Sequence, residues 1–174
     1  MNNKVVIVDI FGNKKGEMEK LEAHKKGVLH EAYSVFILKD NQMLIQKRAK
    51  NKYHSGGLWS NACCSHPQLE ENIFENIKRK TFDELGIEIE NINFEFSFIY
   101  RNKFDNNLTE YEYDNVFTAQ SNSLITFNPD EVEKVKWVNL EDLAEDLEKN
   151  PQKYSYWFLI ACPKIIKKYI KKII

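Results

Sequence analysis

One amphipathic stretch, Gln68–Asp83, limits what this chain can fold into. Ile73, Phe74, Ile77 and Thr81 recur there at the period of a helix with one apolar face, and Gly86 just beyond it is a stop signal. The chain on either side reads as strands. Before the helix come Val5–Ile10, closed by the turn Phe11-Gly12-Asn13, and then Tyr33–Leu38 and Met43–Gln46, joined as a hairpin across Lys39-Asp40-Asn41-Gln42. After it come Ile87–Ile89, Phe94–Arg101, Glu110–Ala119 and Lys134–Val138, with Asp105-Asn106-Asn107 as a hairpin tip. Glu17–Lys25 reads as a strand edge or a loop, Lys47–Gly57 as a polar loop and Leu58–Cys64 as a short apolar run. Leu140–Glu148 is a helix, and Tyr154–Ile174 is largely helical, with Pro163 expected to begin, kink or end a helix. Strands around one central helix, followed by C-terminal helices, make an α+β or α/β sandwich.

Length and composition narrow the options. At 174 residues the expectation is a single domain over 1–174, with a core at about 30–140 and C-terminal helices at about 140–174. Lys and Arg number 25 against 26 Asp and Glu, a net charge of -1, which argues against a nucleic-acid partner. No run approaches 18 apolar residues, so no transmembrane segment is expected. Three cysteines, two of them adjacent, form no disulfide framework and read as reduced and cytoplasmic.

Four features carry chemical potential. Asn61-Ala62-Cys63-Cys64-Ser65-His66-Pro67 sets a thiol beside an imidazole, either for acid–base or metal chemistry or as two small apolar residues in a core turn. The histidines, His24, His30, His54 and His66, match no short zinc spacing. Glu110 and Glu112 alternate with Tyr111, so both carboxylates share one strand face. That face is either wet or holds a cation between them. The fourth is Ser65-x5-Glu71-x7-Arg79-Lys80-Thr81-x-Asp83-Glu84-x-Gly86-Ile87, the spacing of a degenerate Nudix box, with Ser65, Lys80 and Asp83 replacing a Gly and two Glu.

With Trp59-Ser60-Asn61-Ala62-Cys63-Cys64-Ser65-His66-Pro67, this pattern resembles the type I isopentenyl-diphosphate delta-isomerases from about Val5 to Trp157. The resemblance implies a Nudix-like α+β fold, an α/β/α sandwich with a mixed central sheet and flanking helices. It implies interconversion of isopentenyl and dimethylallyl diphosphate, by proton addition and removal through a tertiary carbocation. The partner is then a small isoprenyl diphosphate, and the protein a monomer or weak homodimer.

Carried over by position, the resemblance implies a metal centre of His24, His30, His66, Glu110 and Glu112, holding Mn2+, Zn2+ or Mg2+. Glu84 and the carbonyl of Cys64 would hold a Mg2+ that arrives with the diphosphate. Cys64, Glu112, Tyr100 and Trp157 are the implied catalytic residues, with Glu112 and Tyr100 giving the proton, Cys64 taking one and Trp157 facing the cation. Lys20, Arg48, Lys52, Ser65 and Lys80 are the implied substrate-binding set. His54 matches no role and reads as a loop residue.

Overall fold

Apolar alternation on one long strand explains why helices cover both faces of the sheet. The computed structural model describes residues 3–52 and 54–170. Its central strand, β3 (His30–Lys39), sends Phe36 and Leu38 to one face and Tyr33, Val35 and Ile37 to the other. β1 (Lys4–Val8), β4 (Gln42–Arg48) and β6 (Cys63–Ser65) pair antiparallel with β3, and β8 (Thr109–Gln120) pairs parallel with it. β2 (Lys14–Glu19) extends β1, β5 (Trp59–Asn61) and β9 (Val132–Asn139) flank β4, and β7 (Glu90–Lys103) pairs with β8. The first face of β3 meets α3 (Leu140–Lys149) and α4 (Tyr156–Ile170) through Leu143, Phe158 and Ile165. The second meets α2 (Ile73–Leu85) through Ile77 and Leu85. The result is the expected mixed sheet between helical layers.

The expected hairpins are present. Lys39 pairs with Gln42, and Asp40 takes the left-handed conformation at the turn with φ 51°. β7 and β8 close around the Asp105-Asn106-Asn107 tip, where Lys103 pairs with Thr109.

Several boundaries differ from the sequence reading. α2 begins at Ile73 rather than Gln68, because the Asn72 side chain accepts from the backbone N–H groups of Phe74 and Glu75. It ends as expected at Gly86, where φ is 65° and an added Cβ would fall 2.2 Å from Thr126 Oγ1. Ile87–Ile89 is not a paired strand: Ile87 and Ile89 are buried beside α2, and β7 starts at Glu90.

Glu17–Lys25 divides into the end of β2 and a helix, α1 (Lys20–Lys26). Only Ala23 and His24 are buried on α1, too few to leave a helical apolar pattern in the sequence. The supposed loop at 47–57 begins two residues later, since β4 runs through Arg48. Leu58–Cys64 becomes β5 and the start of β6.

α4 runs through Pro163, which neither begins nor ends it. Pro163 is exposed, so the carbonyl it leaves without a donor can take water. On α4, Ile165 and Ile166 are buried, Lys164 lies over Phe96 at 5.1 Å and Lys168 pairs with Glu95. Residues 171–174 of the lysine-rich end lie outside the described residues.

Candidate active site

Strand β8 supplies the acidic wall of a cavity of about 200 Å3. Its alternation puts Glu110, Glu112 and Asp114 on one buried face. The parallel ladder sets His30, the first residue of β3, beside Glu112. α1 carries Lys20 and His24 one turn apart, and His66 follows directly on β6. Donor atoms of His24, His30, His66 and Glu112 all lie within 4.8 Å of one another. Glu110 falls in an overlapping group with His24 and His54.

The nitrogens of this cluster suit a divalent cation. A carbonyl only accepts, so Nδ1 of His24, 2.7 Å from Lys20 O, and Nδ1 of His30, 2.8 Å from Val28 O, carry the protons. Each Nε2 is left with a lone pair, the usual arrangement of a metal-binding imidazole. Among the described residues His30 Nε2 is buried without a hydrogen-bond partner, 3.5 Å from Glu112 Oε1. A lone pair facing a carboxylate there calls for a cation between them. Burial lowers His24 to about 4 and His66 to about 3, so both are neutral at neutral pH, as metal ligation requires. The donor set fits a divalent ion.

The two glutamates are driven apart. Burial, then the neighbouring Glu112, pushes Glu110 well above the carboxylate range. Burial would raise Glu112 as well, but positive charge on the His30 and His66 side, a place a bound cation would take, holds it well below that range. His66 Nε2 stands 3.0 Å from Glu112 Oε1. Tyr100, opposite Glu112 in the β7–β8 ladder, donates to Glu112 Oε2 over 2.6 Å.

Cys64 lines the same cavity from β6. Its Sγ is 3.1 Å from Asn61 Oδ1 and 3.7 Å from Ser34 Oγ, and Ser34 donates to Asp114 Oδ2 at 2.8 Å. Burial, then the Asp114 carboxyl, pushes the thiol up to about 12, so Cys64 rests protonated. Trp157, at the start of α4, is buried in the wall, and its Nε1 donates to Asn61 Oδ1 at 3.0 Å.

Lys20, Arg48, Lys52, Ser65 and Lys80 all line the cavity, as does Glu84. Arg48 lies over the Trp157 ring at 5.3 Å, and its Nε is buried without a hydrogen-bond partner among the described residues, a donor positioned for an anion. Burial lowers the Lys20 pKa, and the charges of Lys52 and Arg48 add to the effect. A polyanion would relieve that repulsion. Lys52 is paired with Glu131, and Gln46 Nε2 reaches Glu84 Oε2 at 3.3 Å.

The cavity therefore gathers the sequence candidates, with His24 and His30 in the cluster behind its lining. Four neighbours escaped the sequence reading. Asp114 continues the alternation of Glu110 and Glu112, so period two could have found it. Asn61 was visible only as a motif letter. Glu131 and His54 lie in segments whose local pattern carries no signal. His54 is buried, with Nε2 2.9 Å from Glu110 Oε1, and is more than the loop residue the sequence suggested.

The NUDIX domain family matches residues 28–158. Isopentenyl-diphosphate Delta-isomerase 2 of Aromatoleum aromaticum is 43% identical over 163 residues, covering 93% of this chain and 85% of that protein. An isopentenyl-diphosphate Delta-isomerase of Aliivibrio fischeri is 38% identical over 177 residues, covering 95% and 96%. Among solved structures, a Deinococcus radiodurans protein superposes with a TM-score of 0.74 at 15% identity, covering 92% of this chain and 98% of that one. A MutT NUDIX hydrolase from Burkholderia pseudomallei gives 0.63 at 21% identity, covering 78% and 96%.

Proposed function

Because the chain belongs to the isopentenyl-diphosphate delta-isomerases of the NUDIX family, we propose that this cavity interconverts isopentenyl and dimethylallyl diphosphate, a step of isoprenoid biosynthesis. A proton is added to the terminal alkene carbon, which leaves a tertiary carbocation. Loss of a proton from the carbon on the other side restores the double bond in its new position. One proton enters and one leaves, so the substrate's charge and composition are unchanged.

The observation that carries the reading is the pairing, in one cavity, of the Cys64 thiol with the Tyr100–Glu112 hydrogen bond, beside the Trp157 ring. Cys64 and Glu112 sit on different strands and start in opposite protonation states, thiol and carboxylate. From these states Cys64 gives the proton to the alkene and Glu112 takes one from the neighbouring carbon, the reverse of the order the resemblance implied, and proton exchange with solvent after product leaves restores thiol and carboxylate for the next turnover in the same direction. Trp157 faces the carbocation with its π electrons. Dry walls, with Trp157 and Tyr100 both buried, keep water from trapping the cation as an alcohol.

Lys20, Arg48, Lys52, Ser65 and Lys80 bind the diphosphate, Arg48 as a fork and the lysines as point charges. His24, His30, His66, Glu110 and Glu112 would hold a divalent ion, Mn2+, Zn2+ or Mg2+, and Glu84 with the Cys64 carbonyl would hold a Mg2+ brought with the diphosphate. Such ions supply charge that keeps Glu112 ionised and oriented. The three free cysteines suit a reducing cytoplasm. One chain supplies every residue of the site, so a monomer or weak homodimer suffices.

The test is incubation with isopentenyl diphosphate and Mg2+. Dimethylallyl diphosphate should form, and both Cys64→Ala and Glu112→Gln should abolish nearly all of it. Full activity in Cys64→Ala would refute the assignment. Phosphate release without isomerisation would favour a Nudix hydrolase instead, a reading that Lys80 disfavours because hydrolase helices usually carry a metal-binding Glu there.

A further inference from the structure

His54 has no part in the reaction as assigned, yet its environment is that of a site residue. It is 9% exposed, and its ring is held on three sides. Phe104 stacks on it at 4.9 Å, Trp157 meets it edge-on at 6.1 Å, and His24 lies near-parallel at 6.1 Å.

Two overlapping sets of donor atoms share His24. One adds His30, His66 and Glu112, the other His54 and Glu110, and within each set all donor atoms lie within 4.8 Å of one another. An ion about 2.1 Å from each of two donors allows them to be about 4.2 Å apart, so either set is within a small side-chain movement of coordination. Glu110 groups with His24 and His54, and the shared His24 joins that set to His30, His66 and Glu112. The same contact appears in both sets: His66 Nε2 on Glu112 at 3.0 Å and His54 Nε2 on Glu110 at 2.9 Å.

We propose that His54 is a metal ligand in this chain, entering through Nε2 beside Glu110, so that the centre offers four imidazoles and two carboxylates. The inference rests on the metal centre of the isomerase reading and extends it. A further nitrogen donor turns the preference from Mg2+ towards ions that favour imidazole, such as Zn2+. The competing role for His54 is as an N–H donor that orients Glu110 from outside the coordination shell.

Pulsed electron paramagnetic resonance on the full chain loaded with Mn2+ alone separates the two. Four coordinated imidazole nitrogens are expected in the unmodified protein, a count that depends on no variant folding. His54→Ala should lose one of them. His54→Gln retains an N–H donor for Glu110 and should lose the same nitrogen. Three nitrogens in the unmodified protein, or an unchanged His54→Gln spectrum, overturns the ligand assignment and leaves the metal centre standing. Failure of the cluster to bind Mn2+ overturns both.

Discussion

Cys64 and Trp157 share one acceptor: the thiol, at 3.1 Å, and the indole N–H, at 3.0 Å, both meet Oδ1 of Asn61. The Asn61 amide is fixed in turn, since Nδ2 donates to Val35 O at 3.2 Å and Cys63 O at 2.7 Å. A single buried side chain thus sets the position of an acid–base group relative to the aromatic wall. Asn61→Ala should lower kcat with little change in KM, because Lys20, Arg48, Lys52 and Lys80 are left in place. It should also destabilise the fold by about 1–3 kcal/mol for each buried carbonyl left without a donor. Steady-state kinetics and thermal melts check the two effects separately. A rise in KM at constant kcat would contradict the positioning role.

Removal of either acid–base group should be far more severe. Cys64→Ala and Glu112→Gln should each reduce turnover by about 10²–10⁴ or more, measured as dimethylallyl diphosphate formed. Tyr100→Phe deletes the 2.6 Å bond to Glu112 but leaves the carboxylate. Its loss should be smaller than that of Glu112→Gln, and equal losses would mean that Tyr100 itself transfers the proton.

The sequence was most legible where apolar alternation was strong, as in β3 and β8, because both are fixed by which face is buried. It was least legible in α1, which has only two buried residues to mark a helix. The site followed the same division. Glu110 and Glu112 could be paired by period two, but their link to His24, His30 and His66 is a tertiary fact, since α1, β3 and the end of β6 meet only in the folded sheet. His54 shows the limit most clearly. Its burial depends on Phe104, in the β7–β8 hairpin, and on Trp157, at the start of α4, and no local spacing reports either contact.

Acid should destabilise the metal-loaded protein. In the metal-free fold burial lowers His24 to about 4 and His54 and His66 to about 3, against an unfolded value near 6.5, and a bound ion competes with the proton for the same nitrogens and lowers them further. Below pH 6.5 the unfolded chain binds protons that the folded chain refuses, so stability is full above about pH 6.5 and is lost as pH falls below it. In metal-free protein, Glu110, raised by burial, pulls the other way. A bound ion holds it as carboxylate and removes that offset. Urea midpoints of the loaded protein at pH 7.5 and pH 5 should differ, with the lower midpoint at pH 5. Chelation should lower stability at both values.

Gly86→Ala should be costly for two reasons. The position has φ 65°, which an L side chain adopts at a penalty of about 1 kcal/mol, and the new methyl would collide with Thr126 Oγ1 and with the Thr126 carbonyl oxygen, 2.6 Å away. Backbone cannot yield as a flexible side chain would. The strand of contacts here also includes Asn128 N to Glu84 O at 2.8 Å, so the shift reaches a residue assigned to Mg2+. A lowered melting temperature with an increased Mg2+ requirement is expected. A drop in stability with unchanged Mg2+ dependence would show that the Glu84 side chain keeps its place.

Trp157 separates two explanations of an aromatic wall, shape and charge. Its ring lines the cavity, and Arg48 sits 5.3 Å over it, so the indole joins the diphosphate end of the site to the reacting carbons. If the ring only fills space, Trp157→Leu and Trp157→Phe should behave according to lost volume. If its π electrons stabilise the carbocation, up to about 2 kcal/mol of the barrier depends on them, or roughly 30-fold in kcat at 1.36 kcal/mol per tenfold. Trp157→Phe then keeps a π face and retains most of the rate, whereas Trp157→Leu loses close to the full factor. Fluorinated tryptophans at 157 sharpen the comparison, because they withdraw π density at almost constant size. A stepwise fall in kcat with fluorine number, at steady KM, is the expected result. A flat series would leave Trp157 as a wall that excludes water and nothing more.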